Sequence, residues 1–157
     1  MNSEISSKIK YLILFVIAAF SVSNSYSTNV KFYNINSLYG ISMREANSVC
    51  KDNDGFIWVS SITGIIRLTE DDYRIYQLPY DTPNAINVKL VFKNSILLAY
   101  TNNGQIFYFN RLLDRFEFLV NLRKTLNNNI SLEIVLIDEK NTFWIATSEG
   151  LYKYQNG

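Results

Sequence analysis

Histidine is absent from this 157-residue chain. That excludes a Ser/His/Asp or Cys/His nucleophile pair, a His-ligated metal and a phosphoaccepting histidine within it. There is one cysteine, Cys50, so neither an intrachain disulfide nor a Cys-x-x-Cys metal or redox site can form. Set in an apolar strand pattern, Cys50 reads as a small core residue rather than a reactive thiol. An excess of one charge is also missing. Fifteen Lys and Arg stand against fourteen Asp and Glu, so no basic field draws the chain onto a phosphate backbone, and nucleic acid is not expected as a partner of this segment. No cofactor or metal is expected either. What the chain has is apolar and aromatic surface. At 48% apolar it is too hydrophobic for disorder. Eleven Tyr, ten Phe and two Trp supply flat packing surface for an all-β core or a sugar-binding face.

Lys8 and Lys10 precede an apolar run from Tyr11 to Phe20, and Ser21 to Ser27 is mostly small and polar. This is the layout of a secretory signal peptide. The run falls short of the roughly 20 residues that span a bilayer as a helix, which favours cleavage over anchoring; an uncleaved signal anchor is the alternative. Ser25 and Ser27 suit a cut after Ser27. Residues 1–27 therefore read as a signal-peptide helix, and the chain from Thr28 onward is expected outside the cytoplasm.

The two tryptophans sit in matching frames. Asp52 precedes Trp58 by six residues and Gly64 follows by six; Asp138, Trp144 and Gly150 repeat the spacing. The tryptophans lie 86 residues apart (144 − 58), twice 43, and a degenerate copy sits between them with Leu98 six residues before Gly104. A unit of this length built from short strands has the period of a β-propeller blade.

Each unit reads as four strands. The first has Asn47–Lys51, a turn through Asp52-Asn53-Asp54-Gly55, then Phe56–Ser60, Ile65–Leu68 and Tyr73–Leu78; the second has Ile86–Phe92, Ile96–Thr101, Gln105–Asn110 and Phe116–Asn121. The third begins at Ile130 and lacks a fourth strand. The second strands are apolar at consecutive positions, as a strand covered on both faces must be. Asn102-Asn103-Gly104 signals a tight hairpin, since Asn and Gly tolerate positive φ. Pro79 and Pro83 fall in the link between units, where a missing amide donor costs nothing. The expected fold class is thus all-β: a partial β-propeller of about two and a half to three four-stranded antiparallel blades after the signal-peptide helix. The blades would span about 30–80, 84–122 and 129–157.

Asp52-x-x-Gly55-Phe56-Ile57-Trp58-Val59, with Gly64 opening the next apolar strand, resembles the two-component regulator propeller repeat of extracytoplasmic sensors in bacterial hybrid histidine kinases. The opening stretch from Phe32 to Gly40, with Ala46-Asn47-Ser48-Val49 before the Asp, is similar to the usual start of such a sensor. The resemblance covers residues 30–157 and departs in two places: the second unit has Lys93-Asn94 and Leu98 where the motif has its turn and Trp, and the third has Asn141 for the turn glycine. It implies a periplasmic sensing segment without catalysis, recognising a glycan fragment or other small ligand and relaying occupancy to a kinase. It further implies additional blades, an immunoglobulin-like linker, a membrane helix and cytoplasmic kinase modules, with membrane contact only through the signal peptide or that downstream region.

On such a disk the ligand would meet the loops joining second to third strands and the links between blades. Arg44, Tyr80, Asn84, Asn102 and Asn103 are the candidate binding residues there; Asp81 and Asn127 to Asn129 lie in the same links. Amides, hydroxyls and a few aromatics suit the hydroxyls of an oligosaccharide, although turns favour Asn and Ser in any case. Asp52, Gly55, Trp58, Gly64, Leu98, Gly104, Asp138, Trp144 and Gly150 are structural repeat positions. Trp58 and Trp144 read as wedges between blades, each indole N–H finding a backbone acceptor, rather than as sugar platforms. The Asp52–Gly55 run lacks the ligands of a calcium loop and reads as a turn.

Three units do not close a ring, so the chain is expected to leave terminal faces open. The alternatives from other classes are a fragment of a secreted propeller polysaccharide hydrolase or lyase, and a non-catalytic truncated scaffold. No pair of carboxylates here stands out from solvated turns as a hydrolase would require.

Overall fold

The computed structural model describes residues 30–81, 87–126 and 129–155. The chain divides into Met1–Tyr33 and Asn34–Gly157, and every sheet lies in the second unit. Residues 1–27, read as the signal-peptide helix, fall outside the described residues.

Among the described residues eleven strands form three antiparallel sheets, each a meander in chain order. The first holds β1 (Ser48–Lys51), β2 (Ile57–Ser61), β3 (Gly64–Leu68) and β4 (Tyr73–Tyr76). The second holds β5 (Val88–Lys93), β6 (Ile96–Thr101), β7 (Gln105–Asn110) and β8 (Arg115–Asn121). The third holds β9 (Leu132–Ile137), β10 (Phe143–Thr147) and β11 (Gly150–Tyr154). This is the expected all-β class. β4 stops two residues short of the expected Leu78, because its partner runs out: the ladder ends at the pair Ile65–Tyr76, and β3 begins only one residue before Ile65, at Gly64.

Sheets stack face to face, with the inner strand β5 against β1 on one side and β9 on the other. On β6 the alternation of side chains explains the unbroken apolar run: Leu97 and Ala99 join Trp58, Ile65, Tyr76, Phe107 and Phe116 in one core, while Leu98 and Tyr100 join Ile106, Val135, Ile137, Phe143 and Ile145 in the next. Trp58 is the hub of the first core, its ring 4.8 Å from Phe109 and 6.1 Å from Phe116, both edge-on. Edge-to-face packing adds to the burial of apolar area.

Two short helices were not expected from the strand periodicity. α1 (Ile35–Tyr39) is capped by Asn34, whose side chain accepts from the Ser37 amide, and ends at Gly40 with φ +64°. It covers the outer face of the first sheet, where Ile35, Tyr39 and Met43 pack on Ile41, Val59, Ile66 and Leu68, and the Tyr39 hydroxyl donates to the Thr69 carbonyl at 2.9 Å. α2 (Leu122–Thr125) follows β8, capped by Asn121. Both are too short to register as a 3.6-residue pattern.

The third sheet carries the open terminal face expected of three units that do not close a ring. β10 buries Phe143 and Ile145 but leaves Trp144 half-buried, and Ile134, Leu136 and Leu151 are 57%, 53% and 66% exposed.

Candidate functional site

The repeated aspartate and tryptophan are one unit. In the first sheet the Asp52 carboxylate accepts from the Trp58 indole N–H at 2.8 Å and from the amides of Asp54 and Phe56 at 3.0 and 2.9 Å. Asp138 does the same for Trp144 at 2.9 Å and for the amides of Lys140 and Thr142 at 2.8 and 2.9 Å. Hydrogen bonds from the Trp144 indole, then from the Thr142 amide, hold the Asp138 carboxyl below its ordinary range. The indole acceptor is thus a carboxylate, not the backbone group expected from sequence, because the turn folds Asp back beneath a residue six positions on. The turn itself is conserved in geometry despite the missing glycine: Gly55 has φ +89° and Asn141 φ +61°, both in the left-handed region Asn tolerates.

Loss of the pair in the second sheet is concerted. The Leu98 side chain has no N–H to satisfy and is fully buried; the β5–β6 connection shrinks to Asn94 and Ser95, with φ +51° and +65°, the pattern of a two-residue hairpin turn. These turns latch the sheets along one edge: Asn53 donates to the Ser95 hydroxyl at 3.0 Å, and Asn94 to the Asp138 carbonyl and Asn141 side chain at 3.1 and 3.0 Å.

The opposite edge carries the turns from second to third strands and the links between sheets. A hydroxyl stands three residues before each repeat glycine, at Ser61, Thr101 and Thr147, a periodicity visible in the sequence and not singled out there. Ser61 and Thr147 donate to the carbonyls of Gly64 and Gly150 at 3.1 and 3.0 Å; Thr101 accepts from the Gln105 amide at 3.1 Å. The hairpin at Asn102-Asn103-Gly104 takes its positive φ at Gly104 alone, +89°, so the two asparagines are not the strained positions the sequence suggested.

Around the second sheet this edge gathers a polar cluster. Gln105 is fully buried, accepting from the Asp81 amide at 2.7 Å and donating to Asn103 Oδ1 at 3.2 Å. The Asp81 carboxylate accepts from Lys124 Nζ and Asn121 Nδ2, at 2.9 and 3.2 Å, and these bonds, Lys124 first, lower its pKa. Tyr80 stands edge-on to Phe107 at 5.9 Å and is 42% exposed; burial of its inner part raises its pKa.

Of the sequence-predicted binding residues, Tyr80 and Asn103 meet in this cluster through Asp81 and Gln105. Asn102 adjoins them with an exposed side chain, while its backbone bonds to Asn87 and Leu132. Arg44 stands at the first sheet, its carbonyl accepting from the Ile62 amide at 3.4 Å. Asn84 lies outside the described residues, as do Asn127 and Asn128. Gln105, Asn121 and Lys124 were not foreseen, since nothing local marks a buried glutamine inside a strand.

Cys50 is half-buried beside the first core. Burial, then the charge of Asp52, push its thiol up to about 11, far from the range of a nucleophile. Among the described residues no group of three or more Cys, Asp or Glu side chains could hold a metal ion, and no helix is long and apolar enough to cross a membrane.

A stack of antiparallel meanders, two of four strands and one of three, with their inner strands adjoining, is the blade arrangement of a propeller. No protein-family model and no curated protein matches the sequence. Solved structures share the fold. Two crystal structures of the extracellular domain of one B. thetaiotaomicron system, described once as one-component and once as hybrid two-component, match at TM-score 0.61 and 18% identity, over 79% and 77% of this chain. The extracellular domain of a second hybrid two-component system of that organism matches at TM-score 0.56 and 24% identity over 72% of this chain. The chain spans 15–16% of the length of those structures.

Proposed function

We propose that this chain is an extracytoplasmic sensing segment of a two-component signalling protein, that it performs no catalysis, and that it takes an oligosaccharide at the edge around Tyr80, Asp81, Asn102 and Asn103. The observation that supports the ligand class is the Gln105 cluster. A buried amide fixes Asn103 and the Asp81 backbone in place, and Lys124 and Asn121 hold the Asp81 carboxylate, next in the chain to the half-exposed Tyr80. A fixed carboxylate and the exposed Asn102 amide in loops that also present an aromatic ring suit the hydroxyls of a pyranose. The fold shared with extracellular domains of hybrid two-component systems supports the sensing role and an exported location; cleavage after Ser27 rests on the signal-peptide layout of the sequence alone.

Calorimetric titration of the secreted protein with a panel of oligosaccharides tests the ligand class. Binding that is lost on Tyr80→Ala and weakened on Asp81→Asn is expected; silence across the panel removes the glycan claim. Intact mass of the exported chain tests the address, with Thr28 expected as the first residue.

A further inference from the structure

The edge that carries Tyr80 and Asp81 is shaped by one extra residue in the outer strand of the second sheet. β7 and β8 pair Ile106 with Val120 and then Phe107 with Phe118, so Leu119 is inserted into the ladder. Such a β-bulge re-aims side chains and recurs at sheet edges beside functional sites. The β3–β4 ladder of the first sheet runs in unbroken register.

In a regular strand Phe118 and Asn121, three residues apart, would face opposite sides. With the insertion, Leu119 and Val120 both pack into the core shared with the third sheet, and Asn121 turns to the side of Phe118. There Gln105 stands opposite Asn121, and Phe107 opposite Phe118. The Asn121 amide thereby reaches Asp81 Oδ2 at 3.2 Å. An unbulged β8 would take that donor from the carboxylate.

The same side presents two aromatic rings. Tyr80 and Phe118 each stand edge-on to the fully buried Phe107, with ring centres 5.9 Å away and interplanar angles of 89° and 75°. They are 42% and 41% exposed. Phe107 therefore fixes both rings and holds them within two such steps of each other. Asp81, its side chain 30% exposed, follows Tyr80 in the chain, and its donor Asn121 lies on the strand of Phe118. Two fixed rings on a common wedge suit a chain in which successive sugars present apolar C–H faces. We infer, resting on the oligosaccharide reading, that Phe118 is a second stacking platform. The ligand of this edge is then a glycan of at least two rings, one laid on Tyr80 and the next on Phe118, with the Asp81 carboxylate accepting from their hydroxyls.

Titration of the secreted protein with gluco-, xylo-, manno- and galacto-oligosaccharides of one, two and four rings, followed by NMR, tests this. In any series that binds, the two-ring sugar should bind about fivefold more tightly than the one-ring sugar. It should also shift the Phe118 ring resonances, which the one-ring sugar leaves in place. Phe118→Leu should erase the gain while leaving one-ring affinity unchanged, and Phe118→Tyr should keep it. Tyr80→Ala should weaken one-ring and two-ring binding alike. A two-ring gain that survives Phe118→Leu, or Phe118 resonances that ignore the two-ring sugar, would overturn the second platform and leave the glycan reading standing. Silence across every series would overturn both.

Discussion

The Asp–Trp unit makes a quantitative demand on stability. Asp52→Ala leaves the buried Trp58 indole N–H without an acceptor and takes the carboxylate from two turn amides. An orphaned buried donor costs about 1–3 kcal/mol and the turn amides, which water can reach, less, so the loss should be about 3 kcal/mol. Trp58→Leu, which installs the residue type found at Leu98, should cost about 2–4 kcal/mol through lost packing against Tyr76, Phe109 and Phe116. Once the indole is gone, Asp52 has only the turn to serve. Combining the two changes should therefore cost about 1–2 kcal/mol less than the sum of the singles. Urea unfolding followed by far-ultraviolet circular dichroism reads all four corners of the cycle. Additivity within about 0.3 kcal/mol would show that the carboxylate–indole bond contributes nothing of its own and that Leu98 and Lys93-Asn94 coincide by accident.

Other consequences follow from single positions. Gly64→Ala places a Cβ 2.8 Å from the Tyr76 carbonyl at φ +130°, whereas Gly150→Ala at φ +146° meets nothing within 4 Å; both carry backbone strain, and the first should lower the thermal midpoint by clearly more than the second. Glu117 accepts from Tyr108, Asn110 and Arg115, which lowers its pKa from 4.5 to about 2. Its contribution is complete above its unfolded value and lost as pH falls from there through about 2, so Glu117→Gln should flatten the stability profile in that window and leave the profile above pH 5 unchanged in slope.

The fold was legible because the sequence repeats itself. Asp, Trp and Gly recur at fixed spacing, and consecutive apolar residues at Leu97, Leu98, Ala99 and Tyr100 announce a strand with two covered faces. Chemistry between distant residues was less legible. The partner of the indole was sought in the backbone, since the return of Asp52 beneath Trp58 depends on a turn whose shape the composition does not fix. α1 escaped notice although Asn34 and Gly40 mark its ends, because five residues show no period. At the candidate site Tyr80 and Asn103 were nameable from loop position, whereas Gln105, Asn121 and Lys124 become related only when β7, β8 and α2 bring them to Asp81. Trp144 looked equivalent to Trp58 in sequence, yet only the first has a sheet laid over it.

The account rests on successive sheets packing face to face on a buried aromatic wedge. Nuclear Overhauser contacts of the Trp58 ring test this directly, since its ring centre lies 4.8 Å from Phe109 and 6.1 Å from Phe116, both in the next sheet. Cross-peaks from the Trp58 ring protons to both phenyl rings are the expected result. A Trp58 ring whose only contacts are with its own sheet would contradict the stacking.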